Sequence, residues 1–193
     1  MKLNLPNKLT VARIIATPVF MIALMLDFPF HYFVALFIFI AASLTDMFDG
    51  KYARKHNLVT DFGKFLDPLA DKMLTTAAFI GLLAKGAGIW MEWILFIVLF
   101  REFAVSSIRL VAVSSGGKVI AANIWGKLKT VLQMSAIIYT LFALGLCSIL
   151  AAPAFEFILM LVADILLWAS AIMCIISGVI YLLDNKDLIN PEK

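Results

Sequence analysis

Long apolar stretches alternate with short polar segments along almost the whole chain. Each stretch approaches the ~20 residues that a helix needs to cross the hydrocarbon core of a bilayer. The stretches do not alternate apolar and polar positions as the strands of a membrane barrel do. The pattern therefore predicts an all-α membrane protein with six transmembrane helices, over residues 10–26, 31–49, 67–86, 90–113, 126–148 and 163–183.

The two ends of this pattern need separate interpretation. Residues 3–8 predict a short amphipathic segment before the first span, and no small-residue cleavage site follows Asp27. The last apolar region is too long for one simple crossing. We expect Asp164 at the outer end of the sixth helix and residues 155–162 along the outer interface. A functional intramembrane acid is the alternative for Asp164.

The composition agrees with a chain surrounded by lipid. Of the 193 residues, 63% are hydrophobic and only 15% are charged, whereas about a quarter are charged in an average soluble domain. No connection between the spans is long enough for a soluble domain, so we predict one membrane domain over residues 1–193. Cys147 and Cys174 lie within apolar stretches, where we expect packing residues rather than a disulfide.

The basic residues predict the orientation of the spans. An even number of spans places both termini on one side, and that side holds most of the 16 Lys and Arg residues. The opposite side holds Lys85, while Lys72 and Arg101 fall within spans. The positive-inside rule then places both termini in the cytoplasm, with residues 46–71 at the cytoplasmic face.

Four aspartates lie at this face. Asp46 and Asp49 are three residues apart at the end of the second span, and Asp67 and Asp71 are four apart at the start of the third. Residues three or four apart share one face of a helix, so two antiparallel helices would turn these carboxylates towards one another. Pro68 is compatible with a helix that begins close to Asp67, because a first turn tolerates proline.

The aspartate spacing predicts a metal site. Clustered carboxylates resist ionising together in a low dielectric, and Arg54, Lys64 and Lys72 offset only part of their charge. Oxygen ligands suit one or two Mg²⁺ or Mn²⁺ ions, a pair of which assists in-line displacement at phosphorus. Gly50 and Gly63 leave room beside the site for a ligand. Solvated interfacial acids paired with lysines are one alternative, and the binding site of a cation transporter is another.

A second group of charges predicts an anion site. Arg101 lies within the fourth span, Arg109 two turns further along, and Lys127 at the start of the fifth span. An unpaired guanidinium in a span is costly, and we expect these residues to bind a dianionic phosphate. An ion pair between Arg101 and Glu102 is the alternative. Lys129 lies about 200° round the helix from Lys127, so only one of the two lysines would face the cavity.

The aspartate region also resembles a known family. The pattern Asp46-x2-Asp49-Gly50-x2-Ala53-Arg54, followed after eight residues by Gly63-x3-Asp67-x3-Asp71, is similar to the complete signature of the CDP-alcohol phosphatidyltransferases. This resemblance implies a CDP-linked lipid at the membrane face, with an alcohol attacking its lipid-side phosphorus and CMP leaving. Carried over by position, it implies metal ligands at Asp46, Asp49, Asp67 and Asp71, the general base at Asp71, and a CDP pocket at Gly50, Arg54 and Gly63.

Further motifs resemble the bacterial members that use glycerol 3-phosphate. These lie at residues 5–13, 101–110 and 126–130, and they imply CDP-diacylglycerol as donor, a homodimer and a bacterial plasma membrane. Serine, inositol phosphate and phosphatidylglycerol are alternative acceptors. In the first motif, Asn7 or Thr10 would cap the first helix and Arg13 would reach lipid headgroups, or all three would lie near the nucleotide.

Overall fold

A computed structural model describes residues 5–55, 61–114, 124–150 and 152–186, with side chains throughout except at 5–6, 46–55, 61–65, 67–68, 71 and 111–114. All six elements in these ranges are α-helices, which confirms the all-helical prediction. They are α1 (Leu5–Met25), α2 (His31–Lys55), α3 (Asp61–Ala84), α4 (Met91–Ser114), α5 (Ile124–Leu150) and α6 (Pro153–Asp184).

The lengths and apolar character of the helices are those of a membrane protein. Within the described ranges, Asn7–Met25, Ile124–Leu150 and Pro153–Asp184 are long and apolar enough to cross a bilayer, and His31–Thr45 and Lys72–Ala84 are shorter apolar segments. From Leu5 onwards, the predicted amphipathic segment is the first turn of α1 rather than a separate element.

The helices that carry the aspartates extend further than predicted. α2 continues to Lys55, and α3 begins at Asp61, so both halves of the aspartate motif are helical. The prediction that α3 begins close to Asp67 is wrong, because Pro68 lies about two turns inside the helix. The proline ring removes one hydrogen bond of the helix, and the flanking turns continue across it.

α6 is also longer than predicted. It runs without a break for 32 residues, about 48 Å, because Pro153 suits the first turn and no glycine or proline interrupts the next six turns. The expectation of a separate interfacial segment and a helix starting near Asp164 is wrong. The Asp164 carboxylate instead accepts a hydrogen bond from the backbone N–H of Ile89 at 2.9 Å, and Trp168 Nε1 donates to the Ile89 carbonyl at 3.1 Å.

The helices pack as a closed ring. α1 contacts both α2 and α3; α2 contacts α5, which packs along α6; α4 lies between α6 and α3. α3 also contacts α5 across the ring. The ring has two ends, which we call the aspartate end, where α2 ends and α3 begins, and the opposite end, where α3 ends and α4 begins. Cys147 and Cys174 are both free thiols, as predicted.

A glycine turn closes α3 at the opposite end. Gly86 adopts φ 67°, and two backbone hydrogen bonds, from Gly86 to Leu83 and from Ala87 to Leu82, complete the helix terminus. Lys85 Nζ donates to Asp27 Oδ1 at 2.9 Å, which joins this turn to the α1–α2 turn. That hydrogen bond, together with the Coulombic attraction of the ammonium group, lowers the pKa of the exposed Asp27 carboxyl.

The interior is apolar towards the opposite end and polar towards the aspartate end. On α1, for example, the buried residues are polar up to Thr17 and apolar from Phe20. Thr140 and Ser170, two buried polar residues outside the polar region, bond to carbonyls of their own helices. The apolar part of the core includes Phe20, Leu24, Phe39, Phe79, Leu82, Ile94, Ile137, Leu141 and Leu167. Apolar side chains fill the half of the ring nearer the opposite end. The residues with candidate chemistry therefore lie in the polar half, nearer the aspartate end.

Candidate active site

The aspartates lie on two consecutive helices at one end of the ring. Asp46 and Asp49 belong to the C-terminal part of α2, and Asp67 and Asp71 to the N-terminal part of α3. Residues 56–60 connect the two helices, and both helices pack on α1. The four aspartate side chains lie outside the part of the chain whose side chains the structure describes. That the carboxylates face one another therefore stays a prediction. The same holds for the CDP pocket predicted at Gly50, Arg54 and Gly63.

The donor set fits a divalent cation. Four carboxylates offer only oxygen ligands, and two consecutive helices bring them to one end of the ring. Among the side chains that the structure describes, no group of three or more His, Cys, Asp and Glu residues could hold a metal. The four aspartates stay the predicted ligands because of their oxygen chemistry and spacing.

α1 presents a buried polar face to this region. Asn7, Thr10, Arg13 and Thr17 recur at helical spacing, and each is buried although α1 is apolar enough to cross a bilayer. The Arg13 side chain is 2% exposed, which contradicts the alternative that it extends to lipid headgroups. Thr17 Oγ1 donates to the Arg13 carbonyl at 3.0 Å. α1 packs on both aspartate-bearing helices, and its buried polar residues lie in the half of α1 nearer the aspartate end.

Arg101 lies inside the ring between α4, α5 and α6. Its Nε donates to Ser177 Oγ at 3.2 Å, and its Nη1 pairs with Glu102 Oε1 at 3.1 Å. Two glycines make room for this side chain. A Cβ at Gly178 would lie 3.2 Å from Arg101 Cγ, and one at Gly126 would lie 3.6 Å from Nη2. The stem of Arg101 also lines an apolar cavity of about 170 Å³ between α4 and α6.

Glu102 is the centre of an ion cluster that joins three helices. Besides Arg101, its Oε1 pairs with Lys129 Nζ of α5, and its Oε2 lies 3.8 Å from Lys72 Nζ of α3. Lys72 Nζ also contacts Ser106 Oγ, which itself donates to the Glu102 carbonyl at 2.6 Å. The ion-pair alternative for Arg101 is therefore present in the structure, as part of a larger cluster. We call Lys72, Arg101, Glu102 and Lys129 the Glu102 cluster.

The two lysines at the start of α5 differ in environment. Lys127 is exposed, whereas the Lys129 side chain is 7% exposed and points into the ring. The buried face of α5 continues with Gln133, whose Nε2 donates to Cys174 Sγ at 3.3 Å. Lys129, Gln133 and Ala136 form a helical stripe in the sequence, which could have indicated the buried lysine. The sequence favours Lys127 for the phosphate and includes Glu102 only as an alternative ion-pair partner of Arg101.

Arg109 lies nearer the aspartate end of α4 and contacts α6. Its guanidinium lies over the Tyr181 ring, 5.7 Å from the centroid. Tyr181 is 4% exposed, and its hydroxyl has no hydrogen-bond partner in the described part of the chain. Arg101 and Arg109 thus reach α6 one turn apart, at Ser177 and Tyr181. The arrangement places two guanidinium groups beside two hydroxyl groups of α6, a combination that can bind an anion.

Comparisons with known proteins agree with the signature. The model of the CDP-alcohol phosphatidyltransferase family matches residues 3–176. The CDP-diacylglycerol–glycerol-3-phosphate 3-phosphatidyltransferase of Bacillus subtilis is 41% identical over 201 residues, which cover 98% of each chain. The enzyme of the same name from Rickettsia bellii is 41% identical over 182 residues, 92% of this chain and 93% of its own.

A third relative carries a different name. It is a probable phosphatidylglycerophosphate synthase of Mycobacterium tuberculosis, 39% identical over 181 residues, which cover 92% of this chain and 79% of its own. The matched region includes every helix that bears a candidate site residue. These matches show that the chain belongs to the CDP-alcohol phosphatidyltransferase family.

Proposed function

We propose that this protein transfers the phosphatidyl group of CDP-diacylglycerol to glycerol 3-phosphate and releases CMP. The observation that carries the proposal is the polar end of the ring, where the aspartate-bearing helices adjoin the Glu102 cluster, in which Arg101 and the buried Lys129 share one carboxylate. The relatives named for this reaction are similar over nearly the whole chain. A phosphorylated acceptor would offset the charge of Arg101 and Lys129, whereas an acceptor with no net charge, such as serine, would not.

In the proposed reaction, Asp71 takes the proton from the primary hydroxyl of glycerol 3-phosphate. The hydroxyl oxygen forms a bond to the lipid-side phosphorus of the diphosphate, and the bond from that phosphorus to the bridging oxygen breaks, so that CMP leaves with that oxygen. Asp46, Asp49, Asp67 and Asp71 would hold one or two divalent cations, Mg²⁺ or Mn²⁺. When bound, these ions would offset the negative charge of the diphosphate.

Other residues would bind the two substrates. Gly50 and Gly63 would let the nucleotide approach the backbone, and the guanidinium of Arg54 would bind phosphate oxygens. Arg101 and Arg109 would bind the acceptor phosphate together with a lysine of α5. The sequence favoured Lys127 for this role, and burial favours Lys129.

The proposal includes the membrane topology. Six spans in one domain over residues 1–193 would place both termini and the aspartate end in the bacterial cytoplasm, where a water-soluble acceptor arrives while the lipid tails stay in the bilayer. A homodimer stays a prediction from the family resemblance.

An acceptor panel with purified enzyme tests the function. CDP-diacylglycerol is supplied with glycerol 3-phosphate, serine, inositol phosphate or phosphatidylglycerol, and CMP release is measured. We expect release with glycerol 3-phosphate alone, lost on chelation and restored by Mg²⁺ or Mn²⁺. Release with another acceptor instead would refute the acceptor assignment. No release with any acceptor from folded protein would favour the cation-transporter alternative.

Asp71→Asn tests the assignment of the base. The amide keeps the size of the side chain but cannot accept the proton, so we expect the turnover number to fall by about 10²–10⁴-fold. Asp164→Asn is the matched control, since Asp164 lies on α6 towards the opposite end. Undiminished turnover in Asp71→Asn would remove Asp71 from the role of base.

A further inference from the structure

We infer that Glu102 is a positioning residue for the acceptor: its carboxylate holds the cations of the Glu102 cluster in place for the phosphate of the incoming alcohol. This inference rests on the proposed function. Glu102 would not touch the reacting atoms. It would act through Lys72, Arg101 and Lys129, which come from three helices and converge on its two oxygens.

The charges within the cluster do not balance. Within the described part of the ring, Arg101 and Lys129 both pair with the carboxylate of Glu102, so these three groups together carry an excess of one positive charge. An uncompensated charge in a membrane interior is costly. A phosphate monoester carries close to two negative charges at neutral pH, about −1.5 to −2. Such an anion would offset the positive charge that Arg101 and Lys129 carry beyond that of Glu102.

The carboxylate also keeps the cations available. Without an anion between them, the largely buried side chains of Arg101 and Lys129 would repel each other. One carboxylate offsets this repulsion while leaving donor hydrogens of Arg101 and Lys129 for a ligand, because a guanidinium group has five donors and an ammonium group three. The Lys129 side chain is 7% exposed and that of Glu102 is 18% exposed, so bulk water contributes little to their solvation.

The position of the cluster links the acceptor to the chemistry. Lys72 directly follows Asp71, the proposed base, on α3. Ser106, one turn after Glu102, contacts Lys72 Nζ and so ties α4 to this turn of α3. A phosphate held at the cluster would therefore bring the hydroxyl of the same small molecule to the helix that carries the base. Glu102 sets this distance by fixing Lys72 and Lys129 relative to α4.

The test compares Glu102→Gln with Glu92→Gln. Both substitutions remove one carboxylate from α4, but Glu92 lies exposed in the first turn of the helix, at the opposite end. For Glu102→Gln we expect the KM for glycerol 3-phosphate to rise about tenfold or more, as the loss of hydrogen bonds to charged groups predicts. The KM for CDP-diacylglycerol should change by less than about twofold. Glu92→Gln should match the wild type in both constants.

The conservative variant Glu102→Asp keeps the charge on a shorter side chain. We expect Glu102→Asp to recover part of the affinity for glycerol 3-phosphate. If Glu102→Gln does not fold, the KM values of Glu102→Asp and the wild type still test the inference. Equal changes in both KM values, or a lower KM for glycerol 3-phosphate without the carboxylate, would overturn the inference. Failure of the proposed function is a separate result: the wild-type enzyme would then release no CMP with glycerol 3-phosphate.

Discussion

Two lysines separated by one residue have opposite environments at the start of α5. Lys127 is exposed, and Lys129 pairs with Glu102 inside the ring. The sequence predicted that only one of them would face the interior. It did not decide which, because the rotation of α5 depends on its packing against α2 and α6. The phosphate-binding role of either lysine stays a prediction.

Paired substitutions compare the two lysines. Methionine has nearly the length of lysine and no charge, so it removes the ammonium group while retaining most of the packing. We expect Lys129→Met to raise the KM for glycerol 3-phosphate by about tenfold or more, and Lys127→Met to raise it less. Kinetics at saturating CDP-diacylglycerol measure both effects. A larger effect at Lys127 would support Lys127 as the phosphate ligand, as the sequence favours, and contradict the assignment to Lys129 that burial favours.

At the scale of the helices, the sequence predicted which segments are helical better than where they end. All six apolar stretches form helices, and three of them are long and apolar enough within the described ranges to cross a bilayer. The aspartate-bearing parts of α2 and α3 continue the helices into polar sequence, and α6 extends back to Pro153. Hydropathy locates the lipid-facing part of a helix, whereas its ends depend on caps and on neighbouring helices.

Asp164 shows how such a neighbour changes the interpretation of a residue. We expect Asp164→Ala to lower the free energy of unfolding by about 0.5–1.5 kcal/mol, because the Ile89 N–H loses its acceptor. Asp164→Asn, which retains an oxygen acceptor, should lose less. Thermal unfolding in detergent and CMP release measure the two variants. Loss of CMP release in both, at unchanged stability, would contradict the structural role and support a functional intramembrane acid.

At the scale of the whole molecule, the proposed orientation is open to a labelling test. With Cys147 and Cys174 replaced by alanine, a single cysteine is placed at Ile89, which is 61% exposed in the α3–α4 turn, or at Lys186, which follows α6. We expect a membrane-impermeant maleimide to label Ile89→Cys in intact cells, and Lys186→Cys only after permeabilisation. The reverse labelling pattern would show that the orientation in the membrane is opposite to the proposed one.

The sequence alone indicated the chemistry of this protein more fully than it indicated the geometry of the fold. Continuous apolar stretches determine a helical membrane protein, since lipid leaves backbone groups no other partners. The aspartate motif identified the family, because its residue types and spacing are specific. The tertiary structure decided which charges meet. Lys72, Arg101 and Lys129 converge on Glu102 from three helices, and contacts between residues distant in sequence depend on helix rotation and packing, which local periodicity does not specify.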